Sequence, residues 1–139
     1  MLTIRVEVAS TIQVEEAAGL YGAVGWSAYT REEQSLVRAL EGSHRIVTAR
    51  DAGRLVGLAR SISDGETIVY IQDVLVRPEA QRLGIGRRLI AKLLEDYGDI
   101  RQQVLLTDSE DRQRQFYEAL GFTEAHEMHP ELRAFVRLR

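Results

Sequence analysis

The chain has 139 residues, of which 45% are hydrophobic and 28% charged, with a net charge of −3 at pH 7. That is enough for one domain burying roughly two-thirds of its unfolded surface, and the mildly acidic balance argues against non-specific nucleic-acid binding while permitting a cationic substrate. There is no cysteine, which excludes disulfides, thiolate–metal sites and a cysteine nucleophile.

From the N-terminus, Leu2 to Val8 alternates apolar and polar residues, the pattern of a half-buried strand. It lacks the apolar run of a signal peptide, and no later stretch approaches a membrane span, so the expected location is cytoplasmic. A helix is expected from Thr11 or Gln13 to Val24, with Val14, Ala17, Ala18, Tyr21 and Val24 on its apolar side and Gly25 as its stop. Trp26-Ser-Ala-Tyr29 follows. Thr30 with Glu33 three residues on is a capping-box pattern, which predicts a second helix from Arg31 to about Leu40, ended by Gly42. Trp26 and Tyr29 then stand between two helices, either plugging the edge of the core or lining a substrate pocket.

His44–Asp51, Arg54–Ile62 and Ile68–Val76 read as three strands joined by the turn signals Ala52-Gly53 and Asp64-Gly65, an antiparallel meander. Pro78 ends the third strand, because proline has no N–H for a sheet ladder. The next helix runs from about Gly84 to Tyr97, with Ile85, Leu89, Ile90, Leu93, Leu94 and Tyr97 at helical spacing. Its start is locally unfavourable. Gly84 and Gly86 each cost roughly 0.8–1 kcal/mol relative to Ala in a helix interior, less in the first turn. Arg82, Arg87 and Arg88 put positive charge at the positive end of the helix dipole. A bound anion removes both objections, since glycines admit it to the backbone N–H groups and arginines neutralise it. The stretch therefore reads as a phosphate-binding turn, against the blander alternative of a simple turn with a solvated arginine face. It is not a dinucleotide fingerprint, because Leu89 stands where the third glycine belongs, and no Gly-Lys-Ser/Thr makes it a P-loop.

Gln103–Thr107 is a further strand, making a parallel strand–helix–strand unit with Ile68–Val76. Asp108 to Asp111 caps a helix through Leu120, Gly121 stops it, and a final strand is expected over about Leu132 to Leu138. His126-Glu-Met-His129 is one residue short of a metalloprotease spacing, and no metal is expected.

Gln81-x-x-Gly84-x-Gly86, set between a strand and a helix, resembles the acetyl-CoA signature of GNAT N-acetyltransferases. Phe116-Tyr-Glu-Ala-Leu-Gly-Phe122 resembles a segment near the C-terminus of the same family, and the order of elements is similar over essentially the full chain. The resemblance implies a single mixed α/β domain over residues 1–139, with a mostly antiparallel sheet in which Ile68–Val76 and Gln103–Thr107 splay apart, and with two strands at the end. It implies acetyl-CoA as cosubstrate. Gln81, Arg82, Leu83, Gly84, Ile85, Gly86 and Arg87 would hold its pyrophosphate. The backbone of Val74, Leu75 and Val76 would pair with its pantetheine arm, one N–H polarising the thioester carbonyl. One departure is that Glu110 and Gln113 stand where many members carry an Asn-x-x-Ala step.

Tyr117 occupies the family's general-acid position. A Tyr near pKa 10 is a weaker acid than a thiol near 8.5, so full proton transfer is uphill by roughly 2 kcal/mol, and hydrogen bonding would share the work. Asp73, a carboxylate in an apolar strand, is expected either as a base or amine-binding anion, or as the structural partner of an arginine. Transfer would be direct, in a ternary complex. The expected acceptor is a small-molecule primary amine, with a protein amine as the enzyme-class alternative and a silent acetyl-CoA-sensing domain as the non-enzymatic one. Nucleic acid and membrane are not expected partners; homodimers are common in the family.

Overall fold

Four antiparallel strands follow one another across the sheet in chain order, and a fifth joins them in parallel. They are β1 (Ile4–Val8), β2 (Arg45–Asp51), β3 (Arg54–Ser63), β4 (Ile68–Val76) and β5 (Gln102–Leu105). The structure, a computed structural model, describes residues 3–29 and 31–139; Met1, Leu2, Thr30 and the Tyr29 side chain lie outside the described residues. Four α-helices are described: α1 (Val14–Ala23), α2 (Glu33–Glu41), α3 (Ile85–Leu94) and α4 (Asp111–Ala119). The chain divides into two compact units, the first ending at Leu106 and holding the whole sheet, the second running from Thr107 to Arg139.

The turns form for reasons written in their residues. Ala52 and Gly53 both take positive φ, 49° and 88°, which matches the right-handed twist of the β2–β3 hairpin. At the next turn the Asp64 carboxylate accepts N–H bonds from Glu66, Thr67 and Ile68 and a hydroxyl bond from Thr67. Those donors, the Thr67 side chain foremost, hold its carboxyl well below the usual range. The second helix differs from expectation. It starts at Glu33, with Glu32 as its N-cap and no side-chain cap bond, rather than at Arg31. The capping box expected from Thr30 lies outside the described residues.

One face of the sheet carries Leu55, Leu58 and Leu75 against Ala17, Leu20 and Tyr21 of α1 and Leu36 and Leu40 of α2. Full burial of a leucine such as Leu20 or Leu36 contributes about 1.5–3 kcal/mol. Helix α3 packs on β1 to β4 through Ile85, Leu89, Ile90 and Leu93, all buried. Gly57 on β3 lets α3 come close, because a Cβ there would lie 3.1 Å from Leu89 Cδ1 and 3.2 Å from the Leu75 carbonyl.

A register shift between β3 and β4 decides which way the site residues point. Arg60 pairs with Asp73 but Ser61 pairs with Ile71, so Gln72 is an extra residue, a β-bulge. Directly paired residues share a face and neighbours along a strand do not. Ile71 therefore lies on the face of Ser61, which bonds Tyr97 beyond α3, while Asp73 lies on the face of Arg60, which bonds the end of α2.

In the second unit α4 ends at Gly121, whose φ of 94° suits only glycine, and the Phe122 N–H returns to the Tyr117 carbonyl at 3.0 Å. The helix begins at Asp111 with Glu110 as N-cap; the Glu110 side chain makes no cap bond, while the Asp108 carboxylate accepts the Glu110 N–H at 3.0 Å. The terminal strand expected over Leu132–Leu138 is absent, and no strand follows β5 among the described residues. Leu132, Phe135, Val136 and Leu138 are exposed. Alternation alone does not make a strand, because its backbone groups need a neighbouring ladder; the backbone bond formed here runs from Leu132 N–H to the Ala125 carbonyl.

Candidate active site

Gly84 is the N-cap of α3, at φ 78°, and Arg82, two residues before it, also has positive φ, 65°. Left-handed residues alternating with ordinary ones turn successive N–H groups toward a common point, the geometry of an anion-binding nest at a helix N-terminus. Gln81, Arg82, Leu83, Gly84 and Arg87 are exposed around it. Ile85 is different. Its side chain is buried in the core, so it can offer a ligand only its backbone. Arg88 is drawn off, donating to the Ile4 carbonyl of β1 at 3.2 Å, and the Gln81 amide donates to the Val76 carbonyl at 3.0 Å.

The ladder between β4 and β5 runs from Ile68↔Gln102 to Ile71↔Leu105 and stops there. Past the Gln72 bulge, Val74, Leu75 and Val76 keep their pairing to β3 but have no β5 partner. That is the expected splay, and it leaves an extended backbone edge able to accept an amide-bearing chain. The Leu75 side chain sits in the core, so its part in such a site is backbone only.

Asp73 projects on the side of α1 and α2. It is 2% exposed, and its Oδ2 accepts a bond from the Tyr21 hydroxyl at 2.7 Å and one from Arg60 Nε at 2.5 Å. Arg60 is itself buried, and its Nη1 donates to the Ala39 carbonyl and the Ser43 hydroxyl at the end of α2. Burial alone would depress the Arg60 guanidinium, but Asp73 and then Tyr21 raise it above its ordinary value. Burial first, and then the negative Asp73, push the Tyr21 hydroxyl far up, so it is a permanent donor. The expected arginine partner of Asp73 thus exists, and so does the opening that a substrate role requires. Gly25, Trp26, Ser27, Ala28, Gln72 and Asp73 line a pocket of about 400 Å³. Trp26 is half-buried against the core, with its ring 6.0 Å from that of Tyr21, and it also lines this pocket. Tyr29 belongs to a 3-10 turn, Ser27–Tyr29, and its side chain is outside the described residues.

Tyr117 lies on α4, packed edge-on between Phe116 and Phe122 with ring centroids 5.0 and 6.0 Å away. Burial, and then the charge of Asp108, push its hydroxyl above the ordinary Tyr value. Such a group is a better hydrogen-bond donor than proton donor at neutral pH. Glu110 caps α4 and Gln113 follows in its first turn, both in the second unit. His126 is exposed beside Glu124 and Glu127, each at 3.5 Å.

The family profile of the acetyltransferase (GNAT) domain matches residues 8–132. The chain belongs to the GNAT acetyltransferase family. Serotonin N-acetyltransferase 2 of Oryza sativa subsp. japonica is 35% identical over 66% of this chain and 48% of its own length, and a histone acetyltransferase of Glycine max is 32% identical over 80% and 52%. The chain thus spans about half the length of these curated relatives. Among solved structures, a GNAT family acetyltransferase from Streptococcus pneumoniae TIGR4 superposes with a TM-score of 0.86 at 30% identity, over 99% of this chain and 98% of that one. Aminoglycoside N-acetyltransferase AAC(6')-Iy, solved in complex with CoA, shares the fold with a TM-score of 0.74 at 18% identity, over 100% of this chain and 97% of that one.

The turn and the splay could be read from glycine placement and strand–turn–helix order. Arg60 and the pocket-lining Gly25, Ser27, Ala28 and Gln72 were not foreseen. An arginine inside a strand otherwise as apolar as Leu55–Ile62 was the available signal for Arg60.

Proposed function

We propose that this GNAT chain, acting as one domain, moves an acetyl group from acetyl-CoA to the primary amine of a small molecule. Two observations support the donor half of this reading: the nest before α3 and the open backbone edge of Val74–Val76. The pyrophosphate would rest on the N–H groups of residues 82–86 with Arg82 and Arg87 as counter-charges. The pantetheine arm would add to the β4 edge, and an N–H of Val74, Leu75 or Val76 would stabilise the developing oxyanion. When bound, acetyl-CoA supplies an electrophilic thioester carbonyl.

The acceptor half rests chiefly on the pocket with Asp73 at its base and Trp26 on its wall. Its volume of about 400 Å³ falls within the range of small-molecule sites, roughly 300–1,000 Å³. A carboxylate with an aromatic wall suits a compact amine with an apolar body. The curated relatives bear the names of both small-amine and histone enzymes; the carboxylate and the indole side by side in this solvent-open pocket are what support the small amine here. Tyr117 is assigned to the leaving thiolate, mainly as a hydrogen-bond donor given its raised hydroxyl. The test is release of CoA from acetyl-CoA with a panel of aryl-ethylamines, polyamines and amino acids, repeated with Tyr117→Phe. Expected is turnover on one amine class, with kcat reduced about ten- to hundredfold in the variant and acetyl-CoA affinity nearly unchanged. An undiminished kcat refutes the assignment of Tyr117, and no turnover with acetyl-CoA still bound refutes acetyl transfer to these amines.

A further inference from the structure

The sheet ends in two unequal edges. At one, β1 carries Arg5 and Glu7 among its five residues, and charges of that kind keep other chains from adding to an edge. At the other, Gln102–Leu105 of β5 holds no charged residue and no proline, and Leu106 beyond it is exposed. Strand β5 pairs with β4 on one side, and among the described residues no strand pairs with its other side. A strand so placed presents a row of backbone N–H and C=O groups ready to template a further strand.

Leu132–Leu138 has the opposite lack. Leu132, Ala134, Val136 and Leu138 alternate with Arg133, Phe135 and Arg137, the period of a strand. Phe135 is 88% exposed and Leu138 85%, and Leu132 and Val136 are exposed with them. So many large apolar side chains left uncovered on one short segment mark an interaction site. Beyond the Leu132 N–H bond to the Ala125 carbonyl, residues 133–138 form no backbone hydrogen bond among the described residues. One segment has the alternation of a strand without a ladder, and one strand has a free edge without a neighbour.

Two observations make a second copy of this chain the occupant. Glu131–Arg139 carries three arginines against one glutamate, in a chain whose net charge is −3, so this arm and the remaining body have opposite signs and attract. Every copy also brings one edge and one arm, so a reciprocal exchange satisfies both at once and closes on itself as a two-fold pair. We propose that residues 132–138 of each copy add as a strand to the free edge of β5 in a second copy, forming a dimer by exchange of arms. The backbone ladder supplies the affinity, and the alternating side chains cover the two faces of the β5 edge. This inference is independent of the acetyl-transfer reading.

The test is sedimentation velocity on the full chain over a wide range of concentration. The expected result is a dimer that dissociates only on dilution; a monomer throughout overturns the proposal. Phe135→Glu and Val136→Pro come next. Both positions are exposed in the single chain, so neither change disturbs its core, but one puts a charge and the other a residue without an N–H into the ladder. Each should raise the dissociation constant of the dimer at least about tenfold, with the melting temperature of the dissociated chain unchanged. A dimer as tight as wild type in both variants belongs to another surface and overturns the proposal. Because the chain has no cysteine, Gln102→Cys and Ala134→Cys chains can be mixed at dilution, reconcentrated and treated with a short bismaleimide. A cross-link joining the two kinds of chain is expected. No such cross-link in the mixture, with one formed inside a single chain that bears both substitutions, would mean that the arm folds back on its own β5, and would overturn the exchange.

Discussion

Replacing Arg60 with Met tests whether the Asp73–Arg60 pair is as buried and as tightly coupled as the distances indicate. The ion pair closes at 2.5 Å, with the two side chains 6% and 2% exposed. Removing one partner of such a pair leaves a buried charge without its counter-charge and costs about 3–5 kcal/mol. For a chain of 139 residues the entropy of unfolding near the midpoint is ~0.29 kcal/mol per kelvin, so a loss of ~4 kcal/mol lowers Tm by ~14 °C. The double variant Arg60→Met, Asp73→Asn removes both charges and should recover at least about half of that loss, since contacting residues are strongly non-additive. Urea unfolding at pH 7 followed by circular dichroism, with calorimetry alongside, gives both numbers. A single variant that loses less than about 1 kcal/mol would place the pair among ordinary surface ion pairs and refute the reasoning. So would a double variant no more stable than the single one.

Three further outcomes follow from individual contacts. Gly57→Ala would drive a methyl group against Leu89 and the Leu75 carbonyl, and should cost about 1–3 kcal/mol by overpacking, read as a lower urea midpoint with an unchanged slope. Gly84→Ala forces a Cβ into a left-handed position at φ 78°, so it should cost about 1–2 kcal/mol of stability and weaken acetyl-CoA binding measured by calorimetry. Glu16 is paired in a two-pronged bond with Arg50 at 2.8 and 3.0 Å, and that bond lowers its carboxyl below 4.5 despite some opposing desolvation. A folded-state value below the unfolded one means the pair's stabilisation is present above 4.5 and is lost as pH falls through the folded value. Glu16→Gln should therefore lower stability at pH 7 and flatten its decline below pH 4.5, checked by urea titrations at several pH values.

Much of the geometry of the candidate donor site was legible because it rests on local backbone chemistry. Gly84 is a glycine because its φ is positive, and Val76-Arg-Pro78 ends a strand for reasons present in those residues themselves. The acceptor side was only half legible. Asp73 stood out as a carboxylate in an apolar run, but its partner Arg60 comes from a neighbouring strand, and the Gln72 bulge that sets their common face is a matter of register, which no single strand encodes. Simple alternation would have put Ile71 and Asp73 on one face; the bulge separates them. The terminal stretch fails in the opposite sense. Its alternation over Leu132–Leu138 is as regular as that of β1, yet β1 has β2 beside it, while no strand is described in the terminal stretch. The start of α2 differs from expectation because a capping pattern states a preference, and the helix begins two residues later than Arg31.

The central claim is acetyl transfer to a small amine held in the Trp26–Asp73 pocket. The most direct measurement compares kcat/KM for CoA release with the best small amine against that with lysine-containing and free-N-terminus peptides, in wild type and in Trp26→Ala. The account predicts a clear preference for the small amine, and a rise in its KM on removing the indole with acetyl-CoA binding unchanged. Peptides acetylated more efficiently than every small amine, with the Trp26 variant indifferent to either, would contradict it.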